Sequence, residues 1–280
     1  MNLTKIFSTH RILPALACAI VLPLTAFAHH GQDFLLLEDY HLPAPGGGHL
    51  MGNFEWEKHS DGDEFGIGPS LMFGVLPHVA LSVDVDFRDE GDGFDYNSVM
   101  PAAHFQLTPP DWKSPVKVAL SVGYQWTDAA GGEESGHDDE HGEQDGHEEE
   151  EGGHHRDGEA GSGHSHADLI HNHDSDALVS RLIIEGDFGK TKAVLNVISV
   201  VRDGGEAAWG YAAGVRHAVM GRLALGVEAL GDFESDGWHE LVAGAYVEPV
   251  ESLTLKIGAG FGLTEATPDF TLRTGFIWRF

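Results

Sequence analysis

From about residue 49 to the final phenylalanine the chain repeats one pattern, runs of about ten residues in which apolar side chains alternate with small or polar ones. Phe65, Ile67, Pro69, Leu71, Phe73 and Val75 fall on one face of such a run, with Gly66, Gly68, Ser70, Met72 and Gly74 on the other. In the next, Val79, Leu81, Val83, Val85 and Phe87 alternate with Ser82, Asp84, Asp86 and Arg88. A period of two is that of a β-strand and does not fit a helix, whose faces repeat every 3.6 residues. The pattern predicts twelve strands, at 49–58, 64–76, 79–88, 96–107, 116–126, 177–187, 191–203, 207–219, 223–233, 238–248, 253–263 and 269–280. The sixth and seventh are the least regular, because Leu182-Ile183-Ile184 and Val197 to Val201 are apolar on both faces.

Strands with one apolar face suit two architectures. A soluble sandwich turns the apolar faces together, whereas a transmembrane barrel turns them to lipid and keeps the polar faces inside. Aromatic residues stand on the apolar faces near strand ends, as at Phe54 and Trp56, Tyr124 and Trp126, Trp209 and Tyr211, and Phe276 and Trp278. Such placement fits the interfacial girdles of a barrel. The opposite faces carry Glu55, Asp84, Lys117, Arg216, Glu228, Lys256 and Arg273, too much charge for a dry core. The reading is therefore an all-β, antiparallel up-and-down transmembrane barrel of about 12 strands. No apolar run after the N-terminal region reaches the length of a helical span.

One segment departs from the pattern. Asp128 to Asp176 holds nine of the nineteen histidines (His137, His141, His147, His154, His155, His164, His166, His171 and His173) and one basic residue, Arg156. It has too little apolar surface to offset the entropy of ordering it, so it reads as a disordered, solvated loop between strands five and six. With both ends of an even-stranded barrel on one side, this connection falls on the other, the side where outer-membrane barrels carry their long extracellular loops. The predicted periplasmic connections, such as Leu76-Pro77-His78, Phe188-Gly189-Lys190 and Met220-Gly221-Arg222, are short.

At the N-terminus, Lys5 and Arg11 precede an apolar run from Ile12 to Leu24 and the sequence Ala26-Phe27-Ala28. That is the form of a cleaved secretory signal over 1–28, in preference to a retained helix or a lipoprotein signal cut before Cys18. Residues 29–48, with Pro43, Pro45 and Gly46 to Gly48, read as an irregular periplasmic lead-in. Cleavage leaves no cysteine in the mature chain, which excludes disulfides and thiolate metal sites. A formal charge of −29 excludes nucleic acid as a partner.

Phe270, Leu272, Thr274, Phe276, Trp278 and Phe280 alternate up to a terminal phenylalanine, which resembles the final strand that Gram-negative outer-membrane barrels present to their assembly machinery. The barrel as a whole resembles the uncharacterised transporter-like outer-membrane proteins related to those of phenol degradation. That resemblance implies the cell outer membrane as location, its lipid and the assembly machinery as partners, and passage of small solutes as function.

The chemistry in the sequence is that of ligands. His154-His155, His164-Ser165-His166 and His171-Asn172-His173 are close-spaced imidazole pairs among carboxylates, a donor set for Zn, Ni, Co or Cu ions. The nine loop histidines are thus candidate metal ligands in an adaptable site; a hydrated loop with no metal role is the alternative. His29-His30 is a further candidate, while His78, His104 and His217 read as structural or solvated. No G-x-S-x-G or H-E-x-x-H motif occurs, so the expectation is a non-enzymatic protein with no required cofactor. Within the lumen, Glu55, Glu57, Asp84, Asp86, Asp232 and Glu240 fall toward the outer end and Lys117, Lys192, Arg216, Lys256 and Arg279 toward the inner, with Arg88, Arg202 and Glu185 against the trend. Two readings stay open: an acidic mouth that draws cations, or charges that pair across the lumen and plug it. A third rival, a soluble periplasmic β-sandwich that buffers metal, depends on the fold.

Overall fold

The computed structural model describes residues 33–60, 62–89, 93–109, 111–127, 176–202, 207–233 and 237–280. Twelve strands form one antiparallel sheet that closes on itself: β1 (Gly48–Lys58), β2 (Asp63–Leu76), β3 (Val79–Asp89), β4 (Asp95–Gln106), β5 (Val116–Thr127), β6 (Ala177–Phe188), β7 (Thr191–Arg202), β8 (Ala207–Met220), β9 (Leu223–Asp232), β10 (His239–Val250), β11 (Leu253–Gly262) and β12 (Phe270–Arg279). Each strand pairs with its sequence neighbours, and β12 returns to β1 with Phe54 opposite Thr274. Closure leaves no unpaired edge, which is what lets strands cross a medium that offers no hydrogen bonds.

The two sides of the sheet invert the usual order of a soluble protein. Leu71, Leu81, Val83, Val215, Val227 and Ile257 are each exposed by two-fifths or more, while Ser82, Asp86, His104, Arg181, Glu185 and Glu240 are buried inside. This arrangement overturns the soluble-sandwich alternative, since apolar faces that pack together in a sandwich here point away from the molecule. Aromatic pairs sit on the outer surface at both ends, including Trp56 with Phe270 (6.0 Å between ring centroids) and Tyr124 with Trp126 (5.3 Å) at one, and Trp278 with Phe280 (6.1 Å) at the other.

At the end that holds Gly48 and Phe280, Pro77-His78, Gly189-Lys190, Gly221-Arg222 and Glu251-Ser252 form two-residue turns, and only the β4–β5 connection is longer. His78, Gly189 and Gly221 have φ of 70°, 77° and 33°, the left-handed conformation such turns demand. β5 ends and β6 begins at the opposite end.

Of the segment 29–48 expected as a periplasmic lead-in, the described part begins at Asp33. Residues 33–42 lie inside the barrel without regular structure, and Phe34, Leu37 and Tyr40 are buried against Ala119, Val179, Ile183, Val194, Ile198, Ala212 and Leu230 of the inner wall. The segment explains why β6 and β7 are apolar on both faces: one faces outward and the other receives these side chains. Gly214, Gly244 and Gly258 make room for it, since a Cβ at any of them would collide with Leu35 or Leu37. At the exit to β1, Gly74 lies so close to the carbonyls of Pro43 and Ala44 that only glycine fits.

Candidate functional site

The lumen is organised around residues 33–42. An extended segment surrounded by β-sheet has backbone groups with no ladder to join, and each needs another partner. Lumen side chains supply them. Glu228 accepts from the N–H groups of Leu35 (2.9 Å) and Leu36 (2.7 Å), Asn196 bonds both the N–H and the carbonyl of Glu38, Glu185 accepts from the N–H of Tyr40, and Gln106 donates to its carbonyl. Lys256 reaches the carbonyl of Phe34. The Tyr40 hydroxyl donates to the carbonyl of Thr108, in the connection between β4 and β5.

Charge fixes the segment at its turn end. Asp33, fully buried, meets Lys192 (3.2 Å), Arg216 (2.9 Å) and Arg279 (3.1 Å). Burial pushes its carboxyl toward the neutral form, but these cations outweigh it and hold the group below the usual carboxylate range. Asp39 is also buried and held low, by Lys192 and by the bonds it accepts from Asp33 and His41. Burial opposes the charged form of His41, yet its ring lies 3.7 Å from Asp39 and 3.5 Å from Glu185, and these carboxylates raise its pKa to about 9. Halfway along the lumen Glu38 pairs with Arg181 and stands 3.4 Å from Nδ1 of His104, whose Nε2 contacts the Ser82 hydroxyl at 2.9 Å. Ser82 and Ser70 both donate to Asp84.

A cavity of about 220 Å³ remains beside the segment, lined by Phe34 to Glu38 and by Asn53, Ser70, Asp84, Arg88, His104 and Arg273. Beyond it, toward the loop end, Arg88 contacts Asp86 (3.0 Å), Glu64 (3.0 Å) and Glu55 (3.6 Å). Arg273 contacts Glu55, Glu57 (3.2 Å) and Glu240 (3.1 Å). The ordering of charge along the lumen is thus the one read from the sequence. Its pairing is now defined: Lys192, Arg216 and Arg279 hold Asp33, Lys192 also meets Glu185, Arg181 holds Glu38, and Glu55, Glu57, Glu64, Asp86 and Glu240 meet Arg88 or Arg273.

Among the described residues, two groups combine histidine with carboxylates closely enough to hold a metal ion, Asp39-His41-Glu185 at the turn end and Glu57-His59-Glu64 at the loop end. Neither was singled out in the sequence, because their members are separated along the chain or, like His59, stand alone. The nine loop histidines and His29-His30 lie outside the described residues. His78 and His217 are exposed in or beside turns, contacting Gln106 and Thr191, and His104 is buried in the lumen.

No family model matches the chain, and no curated protein matches it. Solved structures do. The fold is that of the outer-membrane barrel porins. The KdgM porin superimposes with a TM-score of 0.52 at 7% identity over 82% of this chain and 98% of its own, and its complex with disordered oligogalacturonate gives the same values. An outer membrane channel of Pseudomonas putida matches with a TM-score of 0.52 at 13% identity, covering 86% of this chain and 98% of that one. Both neighbours are twelve-stranded.

Proposed function

We propose that this protein is a non-enzymatic outer-membrane barrel that passes or captures small solutes, divalent transition-metal ions foremost, in the manner of the transporter-like barrels it resembles. Residues 33–42 stop the lumen in the resting state, and the nine histidines of 128–176 are the capture element at the cell surface. The observation that carries this reading is the commitment of the inner-end cations Lys192, Arg216 and Arg279 to Asp33, which leaves the opposite mouth with more acid than base. A mouth of that sign concentrates cations, and a stopper held by side-chain contacts with no strand pairing of its own can leave without unmaking the barrel. Porin and channel neighbours add support through shared architecture.

Conductance in a planar bilayer tests it. The intact chain should give small or intermittent currents, and a variant with residues 33–42 replaced by a Gly-Ser linker of equal length should give larger, cation-selective ones that Zn(II) reduces. The filled lumen favours one second reading, a surface barrel with no pore. Absence of current from the linker variant, once folded, would establish that reading instead.

A further inference from the structure

We infer that Glu57, His59 and Glu64 form a divalent-metal site on the barrel itself, at the mouth where β5 ends and β6 begins. This deepens the proposed capture function and rests on it, but uses none of the loop histidines. His59 lies in the short connection between β1 and β2, where its N–H donates to the carbonyl of Gly62. The end of β1 and the start of β2 put Glu57 opposite Glu64 in register. Their donor atoms, with an imidazole nitrogen of His59, all lie within 4.8 Å of one another. Nε2 of His59 stands 3.4 Å from Oε2 of Glu57. Metal–ligand bonds of 2.0–2.2 Å in tetrahedral geometry separate donors by about 3.3–3.6 Å, so this pair already has the spacing of two ligands on one ion.

Around the group, Arg88 meets Glu55, Glu64 and Asp86, and Arg273 meets Glu55, Glu57 and Glu240. One buried nitrogen, Nη2 of Arg273, faces three of these carboxylates. Glu240 is fully buried, and its Oε2 accepts no hydrogen bond although it lies 3.1 Å from that nitrogen. Arg273 holds Oε1 of Glu57 and Arg88 holds Oε1 of Glu64, which orients both carboxylates as the outer partners of metal ligands do. The His59 ring is about one-fifth exposed, which leaves a path for the ion and a position for water. One imidazole with two carboxylates suits a borderline ion such as Zn(II) or Co(II) above Ca(II), which prefers oxygen alone.

The test uses the full chain in detergent with the nine loop histidines replaced by asparagine, and Zn(II) as probe in a calorimetric titration. That chain should retain one Zn(II) site, and adding His59→Asn or Glu64→Gln should weaken it at least tenfold. Folding is read first from the heat-dependent mobility of the barrel on a gel, and either variant suffices. Zn(II) binding unchanged by both substitutions overturns the site. So does a loop-substituted chain that binds no Zn(II) while the wild type does, an outcome that leaves loop capture standing. Equal Zn(II) binding by the wild type and the loop-substituted chain, lost on His59→Asn, supports this site and removes the loop from the capture reading.

Discussion

Leu71 and Ser70 are adjacent on β2 and face different media. Leu71 is nearly half exposed on the outer surface, midway along its strand, while the Ser70 hydroxyl donates to Asp84 in the lumen. An arginine at a lipid-facing midplane position costs about 2–4 kcal/mol. Leu71→Arg should therefore impair assembly by that amount, whereas Ser70→Arg should be tolerated, with its guanidinium beside Asp84; urea unfolding in lipid vesicles measures both. His41 carries a pH dependence. Its pKa rises from 6.5 to about 9 in the folded protein, so the stabilisation it gives residues 33–42 is complete below about pH 6.5 and disappears as pH rises through 9, on the order of 3 kcal/mol in all. Asp33 and Asp39 act in the opposite direction, since their lowered pKa values give stabilisation that is present above about pH 4 and lost in stronger acid. The segment should be most firmly seated between these limits. Conductance recorded from pH 5 to pH 10 should rise at the alkaline end, and His41→Asn should abolish that rise.

At the scale of elements, the strands were legible to within about two residues because alternation is written locally in each of them. β10 runs to Val250, beyond the expected 248, through a register shift between Val247 and Val250 that keeps it paired with β11. Residues 33–42 could not be read the same way. They have no period, since every side chain is placed by a different strand: Asp33 by β7, β8 and β12, Glu38 by β4 and β6. Signals were nevertheless present, namely the double apolar faces of β6 and β7 and a set of inner-end cations with few acids among the strands to pair them. Gly258→Leu tests the fit, because the new side chain would occupy the space of Leu35. The barrel should still close while residues 33–42 become cleavable, with chymotrypsin cutting at Tyr40 in detergent at least tenfold faster than in wild type.

For the whole molecule, the closed sheet and the exposed apolar belt predict that the protein fractionates with the outer membrane and shows β-type circular dichroism in detergent. The start of β1 at Gly48, Phe280 and the short turns share one end of the barrel, and β5 ends and β6 begins at the other. Protease added to intact cells should therefore cut between Gly131 and Asp174, and protection until the membrane is breached would reverse the orientation. The sequence by itself determined the strands, their number, the side of each that meets lipid and the order of charge along the lumen, because each follows from a period of two and the parity of the count. Only the tertiary structure decided what fills the barrel. Which acid meets which cation, where Asp33 to Leu42 lies, and that Glu57, His59 and Glu64 converge all depend on closing β12 onto β1 and on cross-strand register, relations between residues far apart in the chain that no local pattern records.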